Sequence, residues 1–209
     1  MLQARIYQPR REFALDAALD LSPGAPLGIT GASGAGKTTL LDGIAGIFAS
    51  QPPSYVRWQG QDWRHLPLYR RPFNYMRQNS RLFPHLSVEK NAAFGLPPAR
   101  QRSREDTEWL EELRERLELD AIWSAAASEV SGGQARRAVW ARTLARRMPL
   151  VLLDEPFADL DAAAGLKLLS CLKEWQRRWE FSLIVVDHDA QRLYEMAGQP
   201  RVLEAGRWA

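Results

Sequence analysis

"GASGAGKTT", residues 31–39, decides how the rest of the chain is read. It follows a short apolar run, "PLGIT" (26–30), and leads into Leu40, Leu41, Ile44 and Ile47, which lie at helical spacing. It fits G-x-x-x-x-G-K-[ST] in the strand–loop–helix setting that this P-loop pattern requires. The chemistry needs these residue types. Gly31, Ala32, Ser33, Gly34, Ala35 and Gly36 form a small-residue loop whose backbone N–H groups can surround phosphate oxygens. The N-terminus of the following helix adds its positive dipole end. Lys37 reaches the β- and γ-phosphates, Thr38 offers a hydroxyl to Mg²⁺, and Thr39 completes the turn. The competing reading is a glycine-rich turn with a chance lysine. With Gly at ~7% of residues in average proteins, a chance match in this setting is well below about one per cent.

Outward from this loop, the chain alternates strands and helices. "FALDAALDL" (13–21) alternates apolar and polar positions, as a half-buried strand does. "YVRW" (55–58), "FNYMRQ" (73–78), "LVLLD" (150–154) and "SLIVVD" (182–187) read as further strands. Leu168, Leu172, Trp175 and Trp179 mark an amphipathic helix between the last two. Residues 79–145 differ in character: Ser103 reads as an N-cap with Asp106 three places on, and Trp109, Leu110, Leu113 and Leu117 follow on one face. The pattern predicts an α/β fold, a P-loop NTPase core with a mostly parallel sheet and an antiparallel β segment at the N-terminal end. Residues 1–78 and 146–209 form the core of a single domain, 1–209, and 79–145 form an inserted α-helical subdomain.

Two strand ends carry acids or a histidine. "LVLLDEP" (150–156) delivers Asp154 to the C-terminal edge of the sheet, where ligands of open α/β sheets bind. Asp154 can support Mg²⁺, and Glu155 can polarise an attacking water. Isolated acids at a strand end are as often caps; the P-loop tips the balance. "VVDHD" (185–189) brings His188 to the same edge. One motif stays unexplained by local chemistry: "EVSGGQARR" (129–137) places two glycines and an amide before a helix, with no nucleophile, base or metal ligand.

The P-loop, Gln78, SGGQ, LLDEP, "ADLD" (158–161) and a strand-end His, in this order, resemble the nucleotide-binding subunit of an ATP-binding cassette (ABC) transporter. The resemblance extends from Leu2 to about Gly206, and SGGQ with LLDEP is highly specific to that family. It implies a head-to-tail homodimer that sandwiches ATP and Mg²⁺, the signature of one chain completing the P-loop site of the other. Ser131, Gly133 and Gln134 then touch a partner's γ-phosphate. Gln78 links Mg²⁺ and the water to the helical subdomain. Asp154 and Thr38 support the metal, Glu155 is the general base, Asp161 lies on the dimer-facing loop, and His188 is the switch histidine. The family's adenine-stacking aromatic falls at Tyr7 or Gln8, and Tyr7 is the aromatic of the two.

The chain departs from the family at three places. Val130 replaces the usual leucine, and Asp187 stands where Thr or Ser commonly precedes the histidine, adding an anion near the γ-phosphate. The chain also ends at "VLEAGRWA", so the C-terminal regulatory β-domain of many importer subunits is expected to be absent. "RLFPHLSVEKNAAFGL" (81–96) resembles the corresponding segment of importer subunits for oxyanions, metals and small nutrients. Leu82 and Phe83, just before Pro84, are its expected docking residues toward a membrane subunit, while Leu86 and Phe94 serve equally well as core of the insertion.

Composition narrows the function classes. A net charge of 28 − 25 = +3 is too small to argue for nucleic acid, although arginines gather in 64–81 and 136–147. The single Cys171 excludes an internal disulfide framework. The N-terminus has charges where a secretion signal needs an apolar run, and no apolar run approaches the ~20 residues that span a bilayer. The expectation is an ATPase on the cytoplasmic, inner face of the membrane, held there by a separate transmembrane permease subunit and working with a solute-binding protein. A soluble ABC ATPase acting on nucleic acid or ribosomes is the alternative, one that usually carries long coiled-coil insertions or two cassettes. A P-loop kinase or GTPase would not need SGGQ.

Overall fold

Near-continuous Val, Ile and Leu in 150–154 and 182–186 marks strands covered on both faces, and both are buried at every position. The structure, a computed structural model, describes residues 1–49, 51–99 and 102–209. These fall into two compact units.

The first unit comprises Met1–Arg77, Pro149–Pro156 and Trp175–Ala209. It holds β1 (Leu2–Pro9), β2 (Ala14–Leu21), β3 (Pro26–Thr30), α1 (Lys37–Ala45), β4 (Tyr55–Trp58), β5 (Gln61–Asp62) and β6 (Phe73–Met76). Later in the chain come β7 (Leu150–Asp154), β8 (Ser182–Val186), α6 (Ala190–Ala197), β9 (Arg201–Glu204) and β10 (Arg207–Trp208). The main sheet has the order β10-β9-β3-β8-β7-β6, parallel from β9 to β6 with β10 antiparallel at the edge. A second, antiparallel sheet has the order β2-β1-β4-β5. Its alternating patterns follow from one buried face: Leu2, Ala4 and Ile6 on β1 pair with Leu21, Leu19 and Ala17 on β2, and all six are buried.

The core between the sheets gathers Ile6, Leu15, Ile29, Leu40, Leu41, Ile44, Leu152, Ile184 and Val186. Each fully buried aliphatic side chain contributes about 1.5–3 kcal/mol. Gly43 makes the contact of α1 with β1 possible, because a Cβ there would meet Ile6 at 2.6 Å. The Arg71 guanidinium donates to the carbonyls of Trp63 (2.6 Å), Ala45 (2.7 Å) and Leu66 (2.9 Å), fastening the C-terminus of α1.

The second unit comprises Gln78–Met148 and Phe157–Glu174. It holds α2 (Val88–Ala92), α3 (Arg104–Arg116), α4 (Gly132–Leu144) and most of α5 (Ala162–Trp179). Ser103 caps α3, its hydroxyl accepting from the Asp106 N–H, and the apolar face Trp109, Leu110, Leu113 and Leu117 is buried. Trp109 Nε1 donates to the Leu144 carbonyl at 2.9 Å, tying α3 to the end of α4. The division differs from the sequence reading: Phe157–Glu174 also joins the helical unit. The reason is tertiary. Phe157 packs on Trp140 with ring centroids 5.8 Å apart, and Arg116 reaches Glu174 at 2.6 Å and the Cys171 sulfur at 3.3 Å.

Segment 81–96 folds around the fully buried Asn91, which accepts from the Phe83 N–H (2.8 Å) and donates to the Phe83 carbonyl (3.1 Å). Phe94 is 59% exposed, whereas Leu82 and Phe83 are half-buried. The Phe83 ring is covered by Phe94 (4.5 Å) and by the Arg142 guanidinium (4.5 Å), so the exposed aromatic is the one the sequence offered equally as core.

Candidate functional site

Parallel strands end at the same edge of a sheet, so the first unit's chemistry collects there. Asp154 lies beside Val186 in register, and Ile29 lies on the other side of Val186. The chain continues across these ends. The Glu155 N–H donates to the Val186 carbonyl (2.9 Å), and the Asp187 N–H donates to the Ile29 carbonyl (3.2 Å). The loop Gly31–Gly36, Asp154, Glu155 and His188 therefore belong to one edge.

The loop needs its glycines for its own fold at one end. A Cβ at Gly31 would stand 2.2 Å from the Leu203 carbonyl oxygen, at φ +148°. Gly36, at φ +106°, is the N-cap of α1; it brings no capping side chain, and the first turn has no acidic residue. Helix N-termini usually satisfy their first N–H groups with a Ser, Thr, Asp or Asn cap. Here no side chain does so, which leaves the donors and the dipole end for an anion. Lys37 is only 8% exposed, its ammonium donating to the carbonyls of Gly31 (2.7 Å) and Ala32 (2.9 Å).

Asp154 is 1% exposed, and its Oδ2 is buried without a hydrogen-bond partner. Burial pushes its carboxyl above the usual carboxylate range, with the Thr38 hydroxyl and Lys37 opposing. A buried carboxylate oxygen lacking a donor is costly, and a cation beside it removes the cost. Among the described residues no group of three or more His, Cys, Asp or Glu is placed to hold a metal. The donor set, one carboxylate and one hydroxyl, fits Mg²⁺, which keeps waters and shares substrate phosphates.

Glu155 sits at φ +46°, a left-handed conformation that costs a non-glycine residue of order 1–3 kcal/mol and clusters at functional sites. His188 is exposed, its Nδ1 3.4 Å from Asp187 Oδ1. Asp187 itself turns inward. It is 1% exposed, accepts from the Asp189 N–H (2.9 Å) and lies 3.5 Å from Arg192. The extra anion expected near a phosphate is thus buried and paired.

Three features escaped the sequence reading. Asp42 on α1 accepts from the Tyr75 hydroxyl (2.9 Å) and pairs with Arg77 (2.8 Å), linking α1 to the end of β6. Burial pushes the Tyr75 phenol well up, so it remains a donor. Arg10 donates to the Thr39 hydroxyl, and Phe13 lies 3.6 Å from where a Gly36 Cβ would be. Tyr7, the expected base neighbour, sits on β1 one residue past Ile6, which packs toward α1. Alternation aims Tyr7 at the opposite face. The loop after β1 reaches the P-loop through Arg10 and Phe13; no periodic pattern marks it.

In the second unit, Ser131 is the N-cap of α4 within a capping box. Its hydroxyl accepts from the Gln134 N–H (3.4 Å) and the Gln134 Oε1 accepts from the Ser131 N–H (2.9 Å). Gln134, expected to face a phosphate, spends its carbonyl on its own helix. The glycines behave differently. A Cβ at Gly132 would meet nothing within 4 Å, and at Gly133 only the Asp159 carbonyl at 3.6 Å; neither has a positive φ. Nothing among the described residues requires glycine at either position. Gln78, Gly132 and Asp159 line one cavity of about 380 Å³, where the Arg136 guanidinium donates to the Gln78 carbonyl at 3.1 Å. Asp161 accepts from the Ala164 N–H (2.8 Å) and so caps the start of α5.

Comparison with known proteins gives the same picture. The family model described as "ABC transporter" matches residues 15–158. The molybdate/tungstate import ATP-binding protein WtpC of Pyrococcus horikoshii is 35% identical over 97% of this chain and 59% of its own length. A probable sulfate/thiosulfate import ATP-binding protein CysA of Chlorella vulgaris is 37% identical over 90% of this chain and 80% of its own. The thiamine import ATP-binding protein ThiQ of Ruegeria is 34% identical over 93% and 84%. The chain thus spans under two thirds of the archaeal relative and most of the other two. A dimeric, post-hydrolysis ATP-binding cassette bound to ADP and Pi shares the fold, with a TM-score of 0.83 at 23% identity over 100% of this chain and 96% of that one. Among the described residues no helix is long and apolar enough to cross a membrane. With its P-loop, its LLDEP strand end and its capped SGGQ helix, the chain belongs to the ABC transporter family and carries that family's ATPase domain.

Proposed function

We propose that this chain is the ATP-hydrolysing subunit of an importer, energising solute passage through a separate transmembrane permease. Two copies, head to tail, would enclose ATP between the P-loop of one and the Ser131 turn of the other. The observation that carries this reading is Gly132–Gly133, glycines that the chain's own packing does not require. A close approach from outside explains them. Ser131 fits the same role: a hydroxyl that accepts a capping bond still has its own proton to donate.

In this mechanism the α1 N-terminus and Lys37 bind the phosphates. Thr38 and Asp154 would hold Mg²⁺, which when bound neutralises phosphate charge. Glu155, held at the sheet edge by its N–H bond to Val186, accepts a proton from the attacking water. His188 and the partner's Ser131 and Gly133 donate toward the terminal phosphate. The import direction follows the named activities of the three relatives, and a solute-binding protein would deliver the cargo. The working place is the cytoplasmic face of the membrane, with no nucleic acid involved.

The test is Glu155→Gln. The amide keeps its shape but cannot take the proton. MgATP binding should persist, turnover should fall at least a hundredfold, and an ATP-dependent dimer should accumulate on a sizing column. Turnover within about threefold of wild type, under ~1 kcal/mol of barrier, would remove Glu155 from the base role.

A further inference from the structure

The loop between β1 and β2 closes on itself, the Arg10 N–H donating to the Phe13 carbonyl at 2.9 Å. It lies against the first turn of α1, with Phe13 beside Gly36 and the Arg10 guanidinium on the Thr39 hydroxyl. Three positive elements converge there: Lys37, the uncapped end of α1, and Arg10. Among the described residues no carboxylate pairs with Arg10, and the first turn of α1 has no acid. Cations beside a helix N-terminus are unfavourable unless an anion stands between them. A guanidinium is suited to that anion, since its planar fork matches two phosphate oxygens.

We infer that Arg10 is a phosphate contact of the bound nucleotide, a second cation that the glycine-rich motif does not contain. This rests on the nucleotide site proposed above. The guanidinium's donor end is at Thr39, in the turn whose N–H groups face the phosphates. A guanidinium could instead stack on the base, as cations do over aromatic faces, and the test separates the two roles.

The full chain is titrated with MgATP and with adenosine, for wild type, Arg10→Ala, Arg10→Lys, Arg10→Tyr and Lys37→Ala. Arg10→Ala should weaken MgATP about tenfold, as the loss of a charge-assisted contact does, and change adenosine affinity less than about twofold. Arg10→Lys should recover part of the loss, and Arg10→Tyr none. Without nucleotide, Arg10→Ala should melt at or above the wild-type temperature, because it relieves repulsion; this also guards against misfolding. Unchanged MgATP affinity in Arg10→Ala overturns the inference. So does equal weakening of adenosine, or rescue by Tyr but not Lys, either of which assigns Arg10 to the base. Wild type that binds MgATP while Lys37→Ala does not keeps the site intact whatever Arg10 shows. Wild type that fails to bind MgATP overturns the site itself.

Discussion

Asp154 illustrates how a single residue couples stability to chemistry. Its buried Oδ2 has no donor, and burial raises its carboxyl above the ordinary Asp value. The folded chain therefore takes up this proton at a higher pH than the unfolded chain. Its contribution to stability is greatest below the unfolded value of about 3.9 and is lost as pH rises through the raised folded value. At pH 7, free of Mg²⁺ and nucleotide, the residue destabilises the fold. Asp154→Asn should then raise the melting midpoint by about 2–4 °C, roughly 1 kcal/mol for a chain of this size. The gain should vanish on lowering the pH toward about 4, and Mg²⁺-dependent hydrolysis should be lost. A midpoint unchanged at every pH would mean that the carboxylate is already satisfied. The residue scale was also the most legible in sequence. Lys37, Thr38, Asp154 and Glu155 sit where a fixed motif follows an apolar strand. Arg10 was not legible, because a loop side chain that folds back on a helix leaves no periodic trace. Nor was the inward turn of Asp187, which depends on Arg192 five residues on.

At the scale of elements, strands with strong patterns were readable and short ones were not. β7 and β8 announce themselves as unbroken apolar runs, whereas β5 and β10 are two residues each and exist through their pairing partners. The helical unit gained Phe157–Glu174 for a similar reason: Trp140 and Arg116, distant in sequence, hold it. The same limit applies to segment 81–96. The proximity of Pro84 favoured exposure of Leu82 and Phe83, but Asn91 and Arg142 fold Phe83 in and leave Phe94 59% exposed. An exposed aromatic on a half-buried one is a fit seat for an apolar helix from a membrane subunit. Phe94→Ser should therefore lower transport in reconstituted vesicles severalfold. It should shift the melting midpoint of the isolated subunit by under about 2 °C, since exposed positions cost within ±0.5 kcal/mol. A large drop in melting temperature, or full transport, would remove Phe94 from the docking face.

At the scale of the whole molecule, the proposed mechanism divides one catalytic site between two chains. The first unit's sheet edge prepares an anion site, an uncapped helix with Lys37, and beside it a cation site, Asp154 with an orphan oxygen. The second unit offers Ser131, the N-cap of α4, and two glycines that no described residue requires. Mixing two inactive variants tests the division directly. Lys37→Ala disables the P-loop half, and Ser131→Arg disables the signature half. Under the account neither alone hydrolyses ATP, but a mixed dimer joins the intact Lys37 of one chain to the intact Ser131 of the other. Half of the dimers would be mixed, each with one of two equivalent sites whole, so an equimolar mixture should recover about a quarter of wild-type activity. A mixture as inactive as its components, in a preparation shown to contain mixed dimers, would contradict the shared site.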